Sequence, residues 1–431
     1  MAGETPANGA AAPALGPVSD PADGLSKLSL ATRAVHADDD ISAHRAIAPA
    51  MHVSTTFKYN RDPDELRSGE NIDVGSSSSH LHPTTPGDSH IYSRYSSPNT
   101  TRLEAILSSV LGGPSLTYSS GLSAFHAMLV HINPKRVAIG GGYHGCHGVI
   151  KILSRLNGLQ KLGLDEASLD QLQAGDVLHV ETPLNPTGEA RNLEYFAEKA
   201  RSVGAYLTVD ATFAPPPLQD PLAFGADVVM HSGTKYFGGH SDMLCGVLTV
   251  NPKHAEAWMP GLVMDRCILG PVMGSLEGWL GVRSMRTFGL RVERQSRSAT
   301  SLVSWLDNEI RGNPEGVVGS VVDKVVHASL QKEDWVKGQM PGGFGPLFAI
   351  YMKDADDAKR LPSKMALFHH ATSLGGVESL IEWRVMSDSG CEPRLLRISV
   401  GVEGWEDLRD DLVQGFKQLA EEKKEKKKSS A

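Results

Sequence analysis

The feature that most constrains the fold is a rhythm between residues 100 and 250, where short apolar runs are separated by amphipathic stretches. The runs are SLTY (115–118), RVAIG (136–140), DVLHVE (176–181), AYLTVD (205–210) and ADVVMH (226–231). Between two of them, NLEYFAEKARSVG (192–204) carries its apolar residues at helical spacing. A near-continuous apolar run is a strand buried on both faces, and strands that alternate with helices pair in parallel. The chain is therefore expected to be α/β, with a mainly parallel sheet. Further on, SLEGWLGVRSMRTFGLRVERQSRSATSLVSWLDNE (275–309) reads as long helix, leading into a second, mixed region at 310–420.

In an open parallel sheet the ligand lies beyond the carboxyl ends of the strands, so the residues after each run describe the site. SLTY is followed by Ser119, Ser120 and Gly121 and then a helical stretch; RVAIG is followed by glycines and Tyr143. DVLHVE ends on Glu181 and continues to Asn185, AYLTVD ends on Asp210, and ADVVMH runs into Ser232, Thr234 and Lys235. A nucleotide-binding P-loop would put the hydroxyl after the lysine and glycines at a fixed spacing before it. Here Thr234 precedes Lys235, and that upstream spacing is absent. The set suits a phosphorylated aromatic aldehyde instead. Hydroxyls and the N–H groups of a helix start hold a phosphate. A carboxylate keeps a pyridine nitrogen protonated, an aromatic ring covers one face, and an amine condenses with the aldehyde. That ligand is pyridoxal phosphate.

Composition excludes other classes. A chain of 431 residues with net charge −8 offers no basic surface for nucleic acid or an anionic membrane. No apolar stretch approaches the roughly 20 residues that cross a bilayer. Cys146, Cys245, Cys267 and Cys391 lie far apart with no CxxC pair, which suits a reducing, cytoplasmic setting and no structural zinc. His144, Cys146 and His147 cluster in sequence without a further ligand group, so no metal is expected; His231, His240, His369 and His370 read as structural. Residues 1–30, rich in Ala, Pro and Gly, read as a disordered leader, and 61–90 as a mobile or functional loop. The tail EEKKEKKKSSA reads as a solvated helix end.

The chain resembles the Cys/Met-metabolism (transsulfuration) family of pyridoxal-phosphate enzymes, and within it the cystathionine γ-synthase type of fungi. The resemblance runs from TRAVHA (32–37) to RISVGVE (397–403), and is sharpest in DVVMHSGTKYFGGHSD (227–242) and SLGGVESL (373–380). It implies an aspartate-aminotransferase-like (fold type I) architecture: a leader and N-terminal arm (1–60), a cofactor-binding large domain (61–297) and a smaller C-terminal α+β domain with a charged tail (298–431). It also implies roles. Lys235 matches the lysine that bonds the cofactor and then serves as base, Asp210 the carboxylate on the ring nitrogen, with Thr212 beside it, and Tyr143 the ring stacked on the cofactor. Ser120, Gly121, Leu122, Ser232 and Thr234 match phosphate ligands. Tyr92 and Arg94 match a pair that reaches the phosphate from a neighbouring subunit, so a homodimer at least, and a homotetramer with shared active sites, is implied. Asn185, Ser373 and Arg397 match the residues around the substrate α-carboxylate, with Thr372 at a position that selects substrate.

Three departures stand out. The segment between Phe57 and Tyr92 is longer than the family carries there, Thr372 replaces an acidic or aromatic residue, and IEWRVMSDSG (381–390) replaces a P…MTH segment. The expected reaction is γ-replacement on an O-activated L-homoserine, with a sulfur or another nucleophile. The alternatives are a cystathionine β- or γ-lyase and a catalytically silent cofactor-binding protein.

Overall fold

The apolar runs form five strands of one sheet, with their carboxyl ends on the same side. The computed structural model describes residues 27–41, 46–59, 61–66 and 90–429; residues 1–26 of the expected leader and most of the 61–90 loop lie outside the described residues. Its strands are β1 (Ser115–Tyr118), β2 (Arg136–Ile139), β3 (Gln160–Leu162), β4 (Val177–Glu181), β5 (Tyr206–Asp210), β6 (Val228–Ser232) and β7 (Gly246–Val250). They lie in the order β1-β7-β6-β5-β4-β2-β3. Every neighbouring pair is parallel except those of β7, which runs antiparallel between β1 and β6. A second sheet holds β8 (Val322–Val326), β9 (Leu347–Met352), β10 (His369–His370), β11 (Leu380–Trp383) and β12 (Leu395–Ser399), in the order β10-β11-β12-β9-β8. Only β10 and β11 pair in parallel there.

The main helices are α1 (Leu30–His36), α2 (Pro98–Leu111), α3 (Gly121–Ile132), α4 (His144–Asn157), α5 (Leu193–Val203), α6 (Ala255–Leu269), α7 (Ser275–Met285), α8 (Phe288–Gly312) and α9 (Trp405–Ser429). Helix α5 begins where Asn192 accepts the Tyr195 N–H, and ends at Gly204, whose φ of 71° only a glycine adopts freely. Its apolar face, Leu193, Phe196, Ala197 and Ala200, joins Leu178, Val180, Leu207 and Val209 of β4 and β5 in one buried cluster. Each leucine, valine or phenylalanine there contributes about 1.5–3 kcal/mol when fully buried.

The long helix expected over 275–309 is two helices. The chain breaks at Arg286–Thr287, and the carbonyl of Ser284 freed there accepts from the Thr287 N–H (3.2 Å), the Thr287 hydroxyl (3.3 Å) and Arg291 Nη2 (3.0 Å). Arg286 meanwhile reaches the fully buried Asp38, which also pairs with Arg102, each at 2.6 Å, and this fixes the segment after α1 against α2 and α7. Helix α8 then runs unbroken across residues 297 and 298. No helix among the described residues is long and apolar enough to cross a membrane.

Candidate active site

The site is assembled at the carboxyl ends of β1, β2, β4, β5 and β6, and is closed by the segment between β10 and β11 of the second sheet. Ser120 caps α3, its hydroxyl accepting the Ser123 N–H at 3.1 Å. That leaves the first N–H groups of the helix, on Gly121 and Leu122, directed out of the turn. Gly121 is required there. A Cβ on it would sit 3.1 Å from the Cβ and 3.2 Å from the hydroxyl of Ser232, so only glycine lets the helix start meet the end of β6. The result is an anion cradle of two N–H groups and small hydroxyls, with the positive end of a helix behind it.

Asp210 ends β5 almost completely buried. Its Oδ1 accepts from the Thr212 N–H at 3.0 Å and the Thr212 hydroxyl at 2.6 Å, and the same hydroxyl accepts the Ser232 N–H at 2.8 Å. Thr212 therefore ties the carboxylate to the cradle. Burial pushes the Asp210 carboxyl above its ordinary range, against the two Thr212 bonds and the nearby Lys235. A cationic ring nitrogen is the partner that would restore its charge.

Lys235 lies in the turn after β6, and its Nζ donates to Ser373 Oγ at 2.9 Å. Burial, and then the Arg397 guanidinium, pull this amine down to about 8. An amine near neutrality is a usable nucleophile and base, whereas an ordinary lysine is not. The partner segment comes close because Gly375, at φ 81°, lies against the Lys235 backbone, where a Cβ would meet Lys235 C at 2.8 Å. Ser373 pays for the approach with a φ of 88°, one of three non-glycine residues at positive φ among those described.

Tyr143 stands at the start of α4, 39% exposed, so that its ring can cover a flat ligand. Asn185 is buried, and its Oδ1 accepts from Arg397 Nη1 at 3.1 Å, while Arg397 Nη2 donates to the Ser373 carbonyl at 3.0 Å. The structure thus brings together Ser120, Gly121, Leu122, Tyr143, Asn185, Asp210, Thr212, Ser232, Lys235, Ser373 and Arg397. Thr372 is exposed beside Ser373. Thr234 is engaged elsewhere: its hydroxyl donates to the Cys245 carbonyl at 3.2 Å and accepts the Cys245 N–H at 2.9 Å. Tyr92 and Arg94 are also apart from this group. The Arg94 guanidinium lies 5.0 Å from the Tyr92 ring and donates to the Cys267 carbonyl at 3.2 Å.

Three residues that sequence reasoning assigned no role belong to the site. Glu181 pairs with Asp210 in the β4–β5 register. Its two oxygens accept the N–H groups of Tyr143 and Asn185, each at 2.7 Å, so one carboxyl positions both loops. Burial, and then Asp210, push Glu181 upward. Glu382 lies opposite Arg397 across the β11–β12 ladder, with its Oε2 2.6 Å from Arg397 Nη2 and 3.0 Å from Arg384 Nη1. Glu181 was visible as the last residue of a strand beside the one ending in Asp210, though with no role; Glu382 depends on a cross-strand register that sequence does not display, and Arg384 on the turn that follows its strand. No group of three or more His, Cys, Asp or Glu among the described residues is placed to hold a metal.

A doubly connected α/β sheet with a buried acid, a depressed lysine and an anion cradle at its strand ends is the fold type I arrangement of pyridoxal-phosphate enzymes, and these residues fit that group. The chain belongs to the Cys/Met metabolism PLP-dependent enzyme family, which matches residues 31–417. It is 31% identical to a cystathionine beta-lyase of Lactococcus lactis over 351 residues, 75% of this chain and 88% of that protein. It is 29% identical to the cystathionine gamma-synthase of Escherichia coli over 407 residues, 88% of this chain and 95% of that protein. The crystal structure of cystathionine gamma-lyase from yeast superposes with a TM-score of 0.77 at 28% identity, covering 91% of this chain and 99% of that one. The protein is accordingly a PLP-dependent enzyme of Cys/Met metabolism, of the class that carries out elimination or replacement at the β or γ carbon.

Proposed function

We propose that the enzyme catalyses γ-replacement on an O-activated L-homoserine, as a cystathionine γ-synthase does, with a sulfur or another nucleophile. The observation that carries this reading is Thr372, which is short, uncharged and exposed next to Ser373. Cystathionine carries a second ammonium and carboxylate at its far end, and a threonine there offers neither a charge nor a wall to fix them. An activated homoserine needs less of the distal pocket, and the remaining space admits a nucleophile.

In this reading pyridoxal phosphate, bonded through Lys235, supplies the electron sink for a carbanion at the substrate Cα. Asp210 would hold the ring nitrogen protonated, Tyr143 would lie over the ring, and the cradle of Ser120, Gly121, Leu122 and Ser232 would take the phosphate, joined by Tyr92 and Arg94 of a neighbouring subunit. Arg397, Asn185 and Ser373 hold the α-carboxylate, for which the guanidinium fork is the matching shape. Lys235 Nζ would be placed to take the proton from the substrate Cα and then one from Cβ. The Cβ deprotonation expels the Cγ substituent, and the nucleophile bonds to Cγ as the protons return. Mass spectrometry of products from O-acetylhomoserine, O-succinylhomoserine and cystathionine, each with and without a thiol, tests this. A γ-substituted amino acid formed from the activated homoserines is the expected result. Faster consumption of cystathionine, with release of a 2-oxo acid and ammonia, would make the enzyme a lyase.

A further inference from the structure

The substrate end of the site holds more positive charge than one carboxylate binder needs. Arg397 and Arg384 both contact a single oxygen, Oε2 of Glu382, at 2.6 and 3.0 Å. The other oxygen, Oε1, accepts the Ser387 hydroxyl at 2.6 Å. All three charged side chains are at most 5% exposed. Two guanidiniums therefore share one carboxylate in a place almost closed to water, and Arg384 Nε is buried without a hydrogen-bond partner. An unbalanced buried charge and an unmet donor are both unfavourable until an anion arrives. Arg384 stands in the segment IEWRVMSDSG, where the sequence leaves the family pattern.

We propose that Arg384 is a second guanidinium of the substrate-carboxylate site: it keeps Glu382 occupied so that Arg397 can take the carboxylate of an α-amino acid. The proposal rests on the reading of Arg397 as the carboxylate binder. Without Arg384, Glu382 and Arg397 form a closed neutral pair, and an incoming carboxylate meets a resident one. With it, two cations face two carboxylates and the cluster is balanced. Arg384 is thus a positioning residue, selecting ligands with a free carboxylate next to the amine.

The test uses the holoenzyme with L-norvaline, which has no leaving group, and L-norvalinamide, which lacks the carboxylate. Dissociation constants are read from the visible absorption of the bound cofactor and by calorimetry. Arg384→Gln should weaken norvaline on the order of 10- to 100-fold and leave norvalinamide unchanged. Glu382→Gln, which removes the resident competitor, should tighten norvaline. If the Arg384→Gln chain does not fold, Glu382→Gln decides alone, and weaker norvaline binding there overturns the proposal. Equal weakening of both compounds in Arg384→Gln also overturns it, because a structural lesion would do that. Wild-type enzyme that binds both compounds equally overturns the reading of Arg397 together with the proposal. Discrimination that survives intact in Arg384→Gln overturns the proposal alone.

Discussion

Ser373 combines two effects that substitution can separate. Its backbone sits at φ 88°, and its hydroxyl accepts the Lys235 Nζ hydrogen bond at 2.9 Å. A side chain held at positive φ costs about 1–2 kcal/mol, because its Cβ crowds the neighbouring carbonyl. The hydrogen bond, with a charged or partly charged donor, is worth about 1.5–3 kcal/mol. Ser373→Ala keeps the strain and loses the bond. Ser373→Gly loses the bond and the strain together, against an unfolded-state entropy cost of about 0.4–1 kcal/mol. Glycine should therefore be more stable than alanine by about 1 kcal/mol, read as a higher urea midpoint at equal protein concentration. Both variants lack the hydroxyl, so both should lose about tenfold or more in kcat/KM, and by similar factors. An alanine variant as stable as the glycine variant would refute the strain argument. A glycine variant with full activity would refute the role of the Ser373 hydroxyl beside Lys235.

Because burial lowers the Lys235 amine to about 8, its neutral form grows as pH rises, reaches half at about 8 and is nearly complete about one pH unit higher. Uptake of pyridoxal phosphate by cofactor-free protein, followed by its absorption, should accelerate about tenfold per pH unit below that value and level off above it; acceleration continuing to pH 10 would contradict the depressed amine. Mixing inactive Arg94→Ala and inactive Lys235→Ala chains should restore part of the activity, since a hybrid dimer has one site free of both lesions; no recovery after proven subunit exchange would count against a shared site. Thr372→Glu should shift kcat/KM toward cystathionine by about ten- to a hundredfold, the value of one charge contact; an unchanged ratio would remove Thr372 from substrate selection.

Much of the cofactor end of the site is readable from sequence because it lies at strand ends, and strand ends are where apolar runs stop. SLTY, RVAIG, DVLHVE, AYLTVD and ADVVMH each became a strand within two residues of the expected bounds, and the polar residue after each lies on the same side of the sheet. Strand direction was less visible. β7, GVLTV, is as apolar as the strands that pair in parallel, so nothing in its composition reveals that it runs antiparallel to both of its neighbours. The break at Arg286–Thr287 was hidden because neither residue is a helix breaker; it is held by tertiary bonds from Arg286 to the α1 segment and from Arg291 back to Ser284. Arg384 and Glu382 were invisible for a related reason. Glu382 takes its meaning from lying across the ladder from Arg397, and Arg384 from the short helical turn that follows β11; pairing register is set by turns and packing far along the chain.

The central claim is that this site carries pyridoxal phosphate on Lys235. The most direct measurement is borohydride reduction of the yellow holoenzyme, followed by proteolysis and peptide mass spectrometry. The account predicts a single pyridoxyl phosphate adduct, on the lysine of HSGTKYFGGH (231–240), and its loss together with nearly all turnover in Lys235→Ala. An adduct on another lysine, or normal turnover in Lys235→Ala, would contradict it.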